Sequence, residues 1–434
     1  MSTPLTNSID NALTLARQRY VDRNPQSAAQ HIAAAQVMPG GNTRTVLFNM
    51  PFPLVVERGA GCWLWDVDGH EYLDLLGEYT AGLYGHSHPL IRAALNRALD
   101  GGINLGGQSR METQLAQAIC ARFPSIERVR FTNSGSEANL MAITAARVHT
   151  GRSKIMVFHG GYHGGVLYFS SGPSPVNAPY DFVLAPYNNI PGTQKLLAEH
   201  SADLAAILLE PMLGGGGCIP AEADFLQMLR DAATRTGAVL IFDEVMTSRL
   251  APGGLQEAYN ILPDLTTLGK YVGGGMSFGA FGGKAELMAR FDPRRADALP
   301  HAGTFNNNVL TMSAGYVGLT EVYTPIAAHA LNARGDALRE RLNELCRHHE
   351  VALQFTGRGS MLNLHCTDAP IRTPEQAAQA NQPLRELFFF DMLEASIWLA
   401  RRGMINLSLP VEDTECDRLV EAVGKFIEER RELL

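Results

Sequence analysis

The sequence predicts an α/β protein built on a mostly parallel sheet covered by helices, and three observations carry that expectation. From residue 126 onward, short apolar runs rich in β-branched residues alternate with amphipathic stretches, the rhythm of strand, crossover helix and next strand. Most of those runs end in a polar or glycine-rich turn, and in open α/β sheets ligands collect outside the carboxyl ends of the strands. The chain has 434 residues, more than one hydrophobic core usually serves, so a second, smaller unit is expected beside the sheet.

Seven runs read as the strands of that sheet: Val129 to Thr132, Lys154 to Phe158, Phe182 to Ala185, Ala205 to Leu209, Val239 to Phe242, Leu265 to Leu268 and Phe278 to Gly282. The turns NSGSEAN, HGGYHGG, EPMLGGGG, DEVMTSR and GKYVGGG follow five of them and are expected to converge on one site. Ahead of this block, WLWDVDGHEYLD holds two short strand-like runs around an Asp-Gly turn. Behind it come the stretch Ala327 to His349, TGRGSMLNLH as a strand, and a closing helix after Asp413. In that helix Leu419, Val420, Val423, Phe426 and Ile427 recur at helical spacing, and Thr414 with Asp417 resembles a capping box. The expected division is residues 1–75 as an N-terminal segment and part of a small α+β domain, 76–322 as the large ligand-binding domain, and 323–434 as the rest of the small one.

Charge and composition narrow the function classes. A net charge of -8 without long runs of one sign offers no basic stripe for a phosphate backbone, so no nucleic-acid partner is expected. The six cysteines, at 62, 120, 218, 346, 366 and 416, are scattered singly, without the close pairs of zinc sites or redox dithiols, and read as reduced thiols. MSTPLTNSIDNALTLARQRY lacks the features of a secretory signal, and the apolar run LAAILL ends in Glu210 and Pro211, so cytoplasmic residence without a membrane partner is expected.

Three segments carry chemistry. In RFTNSGSEANLMAITAARVHTG a strand runs into Ser-Gly-Ser and directly into a helix closed by Gly151. Free N–H groups and the helix dipole make such a turn an anion cradle, with Ser134 and Ser136 as hydroxyl donors; the plain alternative is an ordinary serine N-cap. Neither a Walker A loop nor a dinucleotide fingerprint fits, because Asp264 stands where the first glycine of the former belongs and GGGMSF lacks the third glycine of the latter. In IFDEVMTSR, Asp243 leaves a strongly apolar strand, so its carboxylate needs either an arginine or a cationic ligand such as a pyridinium nitrogen. In TTLGKYVGGGMSFGAFGG, Lys270 follows an apolar run and precedes three glycines. Apolar surroundings lower the pKa of an amine and make it a nucleophile, whereas a lysine without such context is a solvated surface charge. Tyr162 and His163 of HGGYHGG offer aromatic surface beside the cradle. His159 and His163 stand four apart, but the surrounding glycines do not support a zinc-bearing helix.

SGSEAN, the GGYHG loop, Glu210-Pro211, FDEV, the LGK strand end, GGG and HAGTFNNN resemble, in order and spacing, the class III aminotransferases of the fold type I pyridoxal phosphate enzymes, over nearly the whole chain. That resemblance implies pyridoxal 5'-phosphate as cofactor, with Ser134, Gly135 and Ser136 as its phosphate cup and Tyr162 stacking on its ring. It further implies Glu210 as a nearby acid, Asp243 as the partner of the pyridinium nitrogen, Val245 packing on the opposite ring face and Lys270 forming the Schiff base. Thr304 resembles a threonine that reaches the phosphate of a neighbouring subunit, which implies a homodimer with shared sites. Within the family MPGGNTRTVLF, EYTAGLYGHS, GKYVGGGMSFGAFGG and RGMINLSLP resemble the β-phenylalanine aminotransferases, with glutamate-1-semialdehyde aminomutases as near relatives. Arg44 and Arg402 match arginines that hold substrate carboxylates, a role a planar guanidinium fills through paired hydrogen bonds; Arg401 competes for the second place. Leu83, Met276 and Phe278 are candidates for an aryl pocket. The expected reaction moves the amino group of an aromatic β-amino acid to 2-oxoglutarate or pyruvate. An aminomutase using the same machinery is the alternative, and a ligand sensor on the same fold is the third possibility.

Overall fold

A computed structural model describes residues 4–170, 172 and 174–434. Two helices, Pro4–Arg23 and Pro25–Ala35, open the chain. Ile9, Leu13, Ala16 and Tyr20 are buried at the spacing that gives a helix one apolar face, and this face lies on the later helix Gln382–Glu394, with Arg17 bonded to Glu386 at 2.8 Å. The strands that follow are β1 (Val56–Ala60), β2 (Trp63–Asp66) and β3 (Glu71–Asp74), then β4 (Arg128–Thr132), β5 (Lys154–Phe158), β6 (Asp181–Ala185), β7 (Leu204–Leu209) and the two-residue β8 (Met212–Leu213) and β9 (Ile219–Pro220). They continue with β10 (Val239–Asp243), β11 (Leu265–Gly269), β12 (Gly279–Gly283), β13 (Gln354–Arg358), β14 (Met361–His365), β15 (Ile397–Trp398) and β16 (Met404–Asn406).

The large sheet has seven strands in the order β4-β12-β11-β10-β7-β5-β6, and these are the seven runs read from the sequence, with ends differing by at most one residue. Pairing is parallel among β11, β10, β7, β5 and β6, while β12 runs antiparallel to both of its neighbours. Every residue of β7, β10, β11 and β12 is buried, because helices cover both faces of the sheet and no strand keeps a solvated side. The glycines of β12 have a steric reason: a Cβ at Gly279 would stand 2.1 Å from the carbonyl oxygen of Ser134, so this strand lets the Ser-Gly-Ser turn sit directly against it.

In the predicted β2–β3 hairpin the Asp66 carboxylate accepts from the N–H of Asp68 at 3.0 Å, the N–H of His70 at 2.8 Å and the Tyr72 hydroxyl at 2.9 Å. Strand β15 pairs in parallel with β3, Ile397 opposite Leu73, so one sheet, β1-β2-β3-β15, is assembled from both chain ends. Two local expectations are corrected. TGRGSMLNLH is not one strand: it turns at Gly359, whose φ is +54°, and belongs to the β13–β14 hairpin. The capping box of the last helix, Asp413–Glu429, joins Glu412 to Glu415 rather than Thr414 to Asp417. The helix begins two residues earlier than that pair requires, and a carboxylate serves as the N-cap acceptor. Among the described residues no helix is long and apolar enough to cross a membrane.

Candidate active site

Five strand ends converge on a cavity of about 280 Å³. β4 leads to Ser134 to Ser136, the loop after β5 brings Tyr162 and His163, β7 leads directly to Glu210, β10 ends at Asp243 with Val245 beyond it, and β11 leads directly to Lys270. All lie at the carboxyl ends of the strands, as the topology requires of a ligand site. A larger groove of about 580 Å³ beside Arg147 and Asp203 sits where β5 and β7 begin, on the opposite edge of the sheet.

At the cradle, both readings of Ser134 hold at once. It is the N-cap of the helix Gly135–Thr150, its Oγ accepting from the N–H of Glu137 at 3.2 Å. Ser136 Oγ accepts from the N–H of Gly165 at 3.3 Å. A hydroxyl that accepts still has its own hydrogen to donate, so both remain available to an anion at the helix N-terminus. Gly135 is dictated by contact, since a Cβ there would meet Val245 Cγ2 at 2.8 Å. The same valine stands 3.0 Å from a Cβ at Gly269, so Val245 is held between two glycines and forms one wall of the cavity.

Asp243 is 3% exposed, and no arginine meets it. Its Oδ2 accepts from Asn139 Nδ2 at 2.8 Å and lies 2.8 Å from His163 Nδ1, while Oδ1 accepts from the N–H of Val245 at 3.0 Å. Asn139 is fixed in turn by donation to the His163 carbonyl at 2.9 Å and by acceptance from Thr267 Oγ1 at 2.7 Å. This corrects the reading of His163, which is buried beneath the cavity as a partner of Asp243 and leaves Tyr162 alone as exposed aromatic surface. Asn139 and Thr267 were not singled out. Their signal was polar residues on the buried side of a helix and in an otherwise apolar strand.

Glu210 accepts from the N–H groups of Tyr162 and Gly214, each at 3.0 Å, and so ties the tyrosine loop to the glycine-rich loop. Burial pushes its carboxyl up to about 7, His163 acting in the opposite sense. Lys270 has φ +53°, a left-handed conformation unusual for a residue with a Cβ and a mark of functional sites. Desolvation, first, pulls its ammonium down to about 8; Arg44 and Arg402 add to the shift, while Glu78 and Asp243 oppose it.

The two arginines both approach the ring of Tyr79, with Arg44 Cζ 5.8 Å and Arg402 Cζ 4.9 Å from its centroid. Arg44 also pairs with Glu78, in a solvent-exposed contact of the kind that contributes little to stability. Arg402 Nε is buried without a partner, and Arg401 is exposed. Tyr79 and Glu78 were missed because their neighbourhood depends on long-range packing. Met276 and Phe278 line the cavity, but Leu83 is fully buried in the main core and takes no part in it. Thr304 is exposed and lies apart from the cavity, beside Asn104–Ser109.

The family model for aminotransferase class III matches residues 48–427. The chain belongs to the class III aminotransferases. It is 56% identical over 420 residues to the β-phenylalanine transaminase of Variovorax paradoxus, covering 97% of this chain and 96% of that protein. The crystal structure of the β-phenylalanine aminotransferase from that organism superposes with a TM-score of 0.97, covering 98% of this chain and 99% of the other. A glutamate-1-semialdehyde 2,1-aminomutase from Methanothermobacter thermautotrophicus is 37% identical, over 84% of this chain and 90% of that protein. The structure of an omega-transaminase from Sphaerobacter thermophilus gives a TM-score of 0.89 at 36% identity, covering 95% and 99%.

Class III aminotransferases are pyridoxal phosphate enzymes, and the residues of this one fit the cofactor. The cradle offers hydroxyl donors at a helix N-terminus, where Val245 and the glycines leave a narrow slot beside it. Asp243 is a buried carboxylate held by Asn139, His163 and the Val245 N–H, and Lys270 is an amine of lowered pKa. A phosphate, a pyridinium and an aldehyde would each find here a group suited to their chemistry.

Proposed function

We propose that this class III aminotransferase moves the amino group of an aromatic β-amino acid, with β-phenylalanine as the type, to 2-oxoglutarate or pyruvate. The observation that carries the substrate class is the pair of guanidiniums on the Tyr79 ring, close enough to act on both Lys270 and the Tyr162 phenol. A transaminase binds two carboxylate substrates in turn at one site. Two arginines near one amine provide for that, with Met276 and Phe278 as apolar surface for an aryl group. The relative in Variovorax paradoxus, named for β-phenylalanine, supports the same reading.

When bound, pyridoxal phosphate supplies the electron sink for the pair released as the C–H bond at the amine-bearing carbon breaks. The chain supplies the rest. Lys270 Nζ takes the proton from that carbon and delivers it to the other side of the transfer. Asp243, steadied by Asn139 and His163, would keep the cofactor's ring nitrogen protonated. Ser134, Gly135 and Ser136 would bind its phosphate, Tyr162 and Val245 would hold its ring, and Glu210 braces the tyrosine loop. Arg44 and Arg402 orient the carboxylates. Thr304, outside its own cavity, serves the phosphate of a second copy, so the working unit is a homodimer with shared sites. Exposed Leu105 and Phe305, 64% and 57% accessible, lie beside Thr304 and suit an interface. The division at residues 75/76 and 322/323 belongs to this reading, as does residence in the cytoplasm, where six unpaired thiols stay reduced.

The test is the visible spectrum of the purified holoenzyme. β-Phenylalanine alone is expected to bleach the cofactor band, and 2-oxoglutarate or pyruvate to restore it. Turnover of glutamate 1-semialdehyde without any keto acid, together with indifference to β-phenylalanine, would move the protein to the aminomutases.

A further inference from the structure

Arg249, at the end of the DEVMTSR turn, is 1% exposed. A buried cation is costly unless its hydrogens are met, and the partners here are neutral oxygens. Nε donates to Ser360 Oγ at 3.1 Å, Nη1 to the carbonyl of Thr80 at 3.5 Å, and Nη2 to the carbonyl of Leu407. One guanidinium thus joins three separate segments of the chain.

Among the described residues, the segment that ends at Thr80 has the longest run of positive φ. Gly77, Glu78, Tyr79 and Thr80 have φ of 53°, 46°, 51° and 81°, a left-handed turn in which three of four residues carry a Cβ. Such a turn persists only where the surroundings over-determine it. Its start is fixed by Asp74 Oδ1, which accepts from the N–H of Leu76 at 3.0 Å and of Gly77 at 2.9 Å, and by Asn406 Nδ2, which donates to the Leu76 carbonyl at 2.8 Å. Its end is held by Arg249. Between the two anchors stands Tyr79, the ring that Arg44 and Arg402 share.

We propose that Arg249 is a positioning residue for substrate carboxylates: by pinning the end of the left-handed turn it sets the place of Tyr79, and through that ring the spacing of Arg44 and Arg402. The inference rests on the reading of those two arginines given above. One of the turn's anchors, Asn406, and one of the carbonyls that hold Arg249, that of Leu407, come from the chain just beyond Arg402, so turn and arginine share a frame.

The experiment uses holoenzymes of the parent, Arg249→Lys, Ser360→Ala and Arg44→Ala. Single-turnover bleaching is followed with β-phenylalanine and with 1-phenylethylamine, which keeps the aryl group and amine but has no carboxylate. Lysine retains the charge but lacks the fork that reaches three acceptors. Arg249→Lys is expected to raise the half-saturating concentration of β-phenylalanine about tenfold, to keep its maximal rate within about twofold, and to leave 1-phenylethylamine within about twofold on both counts. Ser360→Ala, which removes only the Nε acceptor, shifts the same quantity less and stands in if the lysine variant does not fold. Equal losses on both donors, or no change on either, overturn the inference. If Arg44→Ala discriminates between the donors and the Arg249 and Ser360 variants do not, this inference alone fails. If Arg44→Ala weakens both donors equally, the carboxylate reading fails and takes this one with it.

Discussion

Lys270 combines two departures from the ordinary, a left-handed backbone and a lowered pKa. Free amine, not ammonium, captures an aldehyde. Loading of the apoprotein with pyridoxal phosphate should therefore accelerate with pH up to about 8 and level off above it; a rate still climbing tenfold per unit at pH 9.5 would contradict that environment. The stability linkage has a matching sign. The folded lysine binds fewer protons than the unfolded one between its two pKa values, so stability of the apoprotein gained from this group rises with pH from about 8 to 10.5. Asp243→Asn keeps one acceptor, for the Val245 N–H or for Asn139, and sets its new NH2 against the other donor, a local cost of about 1–3 kcal/mol that the fold should survive. The substitution should slow turnover by about 10²–10³-fold, the scale of losing one preorganised electrostatic partner. Turnover within a factor of two of the parent would remove Asp243 from its assigned role. Lysine and aspartate were both legible in the sequence, since a charge at the end of an apolar strand needs a reason. The braces Asn139, His163 and Thr267 were not, because the contacts that tie them to Asp243 and to each other span 24 to 128 residues of chain.

Among the elements, the helix after β4 shows how one local sequence serves fold and site together. Ser134 caps it, Gly151 closes it with φ +69°, and the glycine between the serines is fixed by Val245 from another strand. Gly135→Ala should cost about 1–3 kcal/mol, the usual penalty of overpacking. It should also weaken cofactor retention, read as a lower thermal midpoint and faster loss of the visible band on dilution. Unchanged retention would mean that Val245 yields freely and is no fixed wall. Hydrophobic period and turn chemistry were enough to find the seven strands of the large sheet. They were not enough at TGRGSMLNLH, where both halves of a hairpin pass for one extended run, nor at the last helix, where an acidic N-cap stands in place of the more familiar threonine.

For the whole molecule, the sheet β1-β2-β3-β15 joins the two chain ends to each other, and the buried Arg249 ties the turn after β10 to Thr80, Ser360 and Leu407. The proposed second copy is tested by light scattering, with a mass twice the 47.1 kDa of one chain expected at micromolar concentration. Thr304→Ala should leave that mass unchanged while lowering affinity for the cofactor, since the side chain is spare within its own subunit. A monomeric enzyme of full activity would dispose of the shared site.

Taken alone, the order of residues determined the seven-stranded sheet, the turns that meet at its carboxyl edge, and the amine and acid that stand there, because strand period, helix capping and the cost of burying charge act over short stretches of chain. Folding in three dimensions decided what steadies Asp243, where His163 points, and how two arginines 358 residues apart come to share the Tyr79 ring. Those contacts arise only when distant segments pack, and the left-handed turn that presents Tyr79 is held by atoms no local pattern brings together.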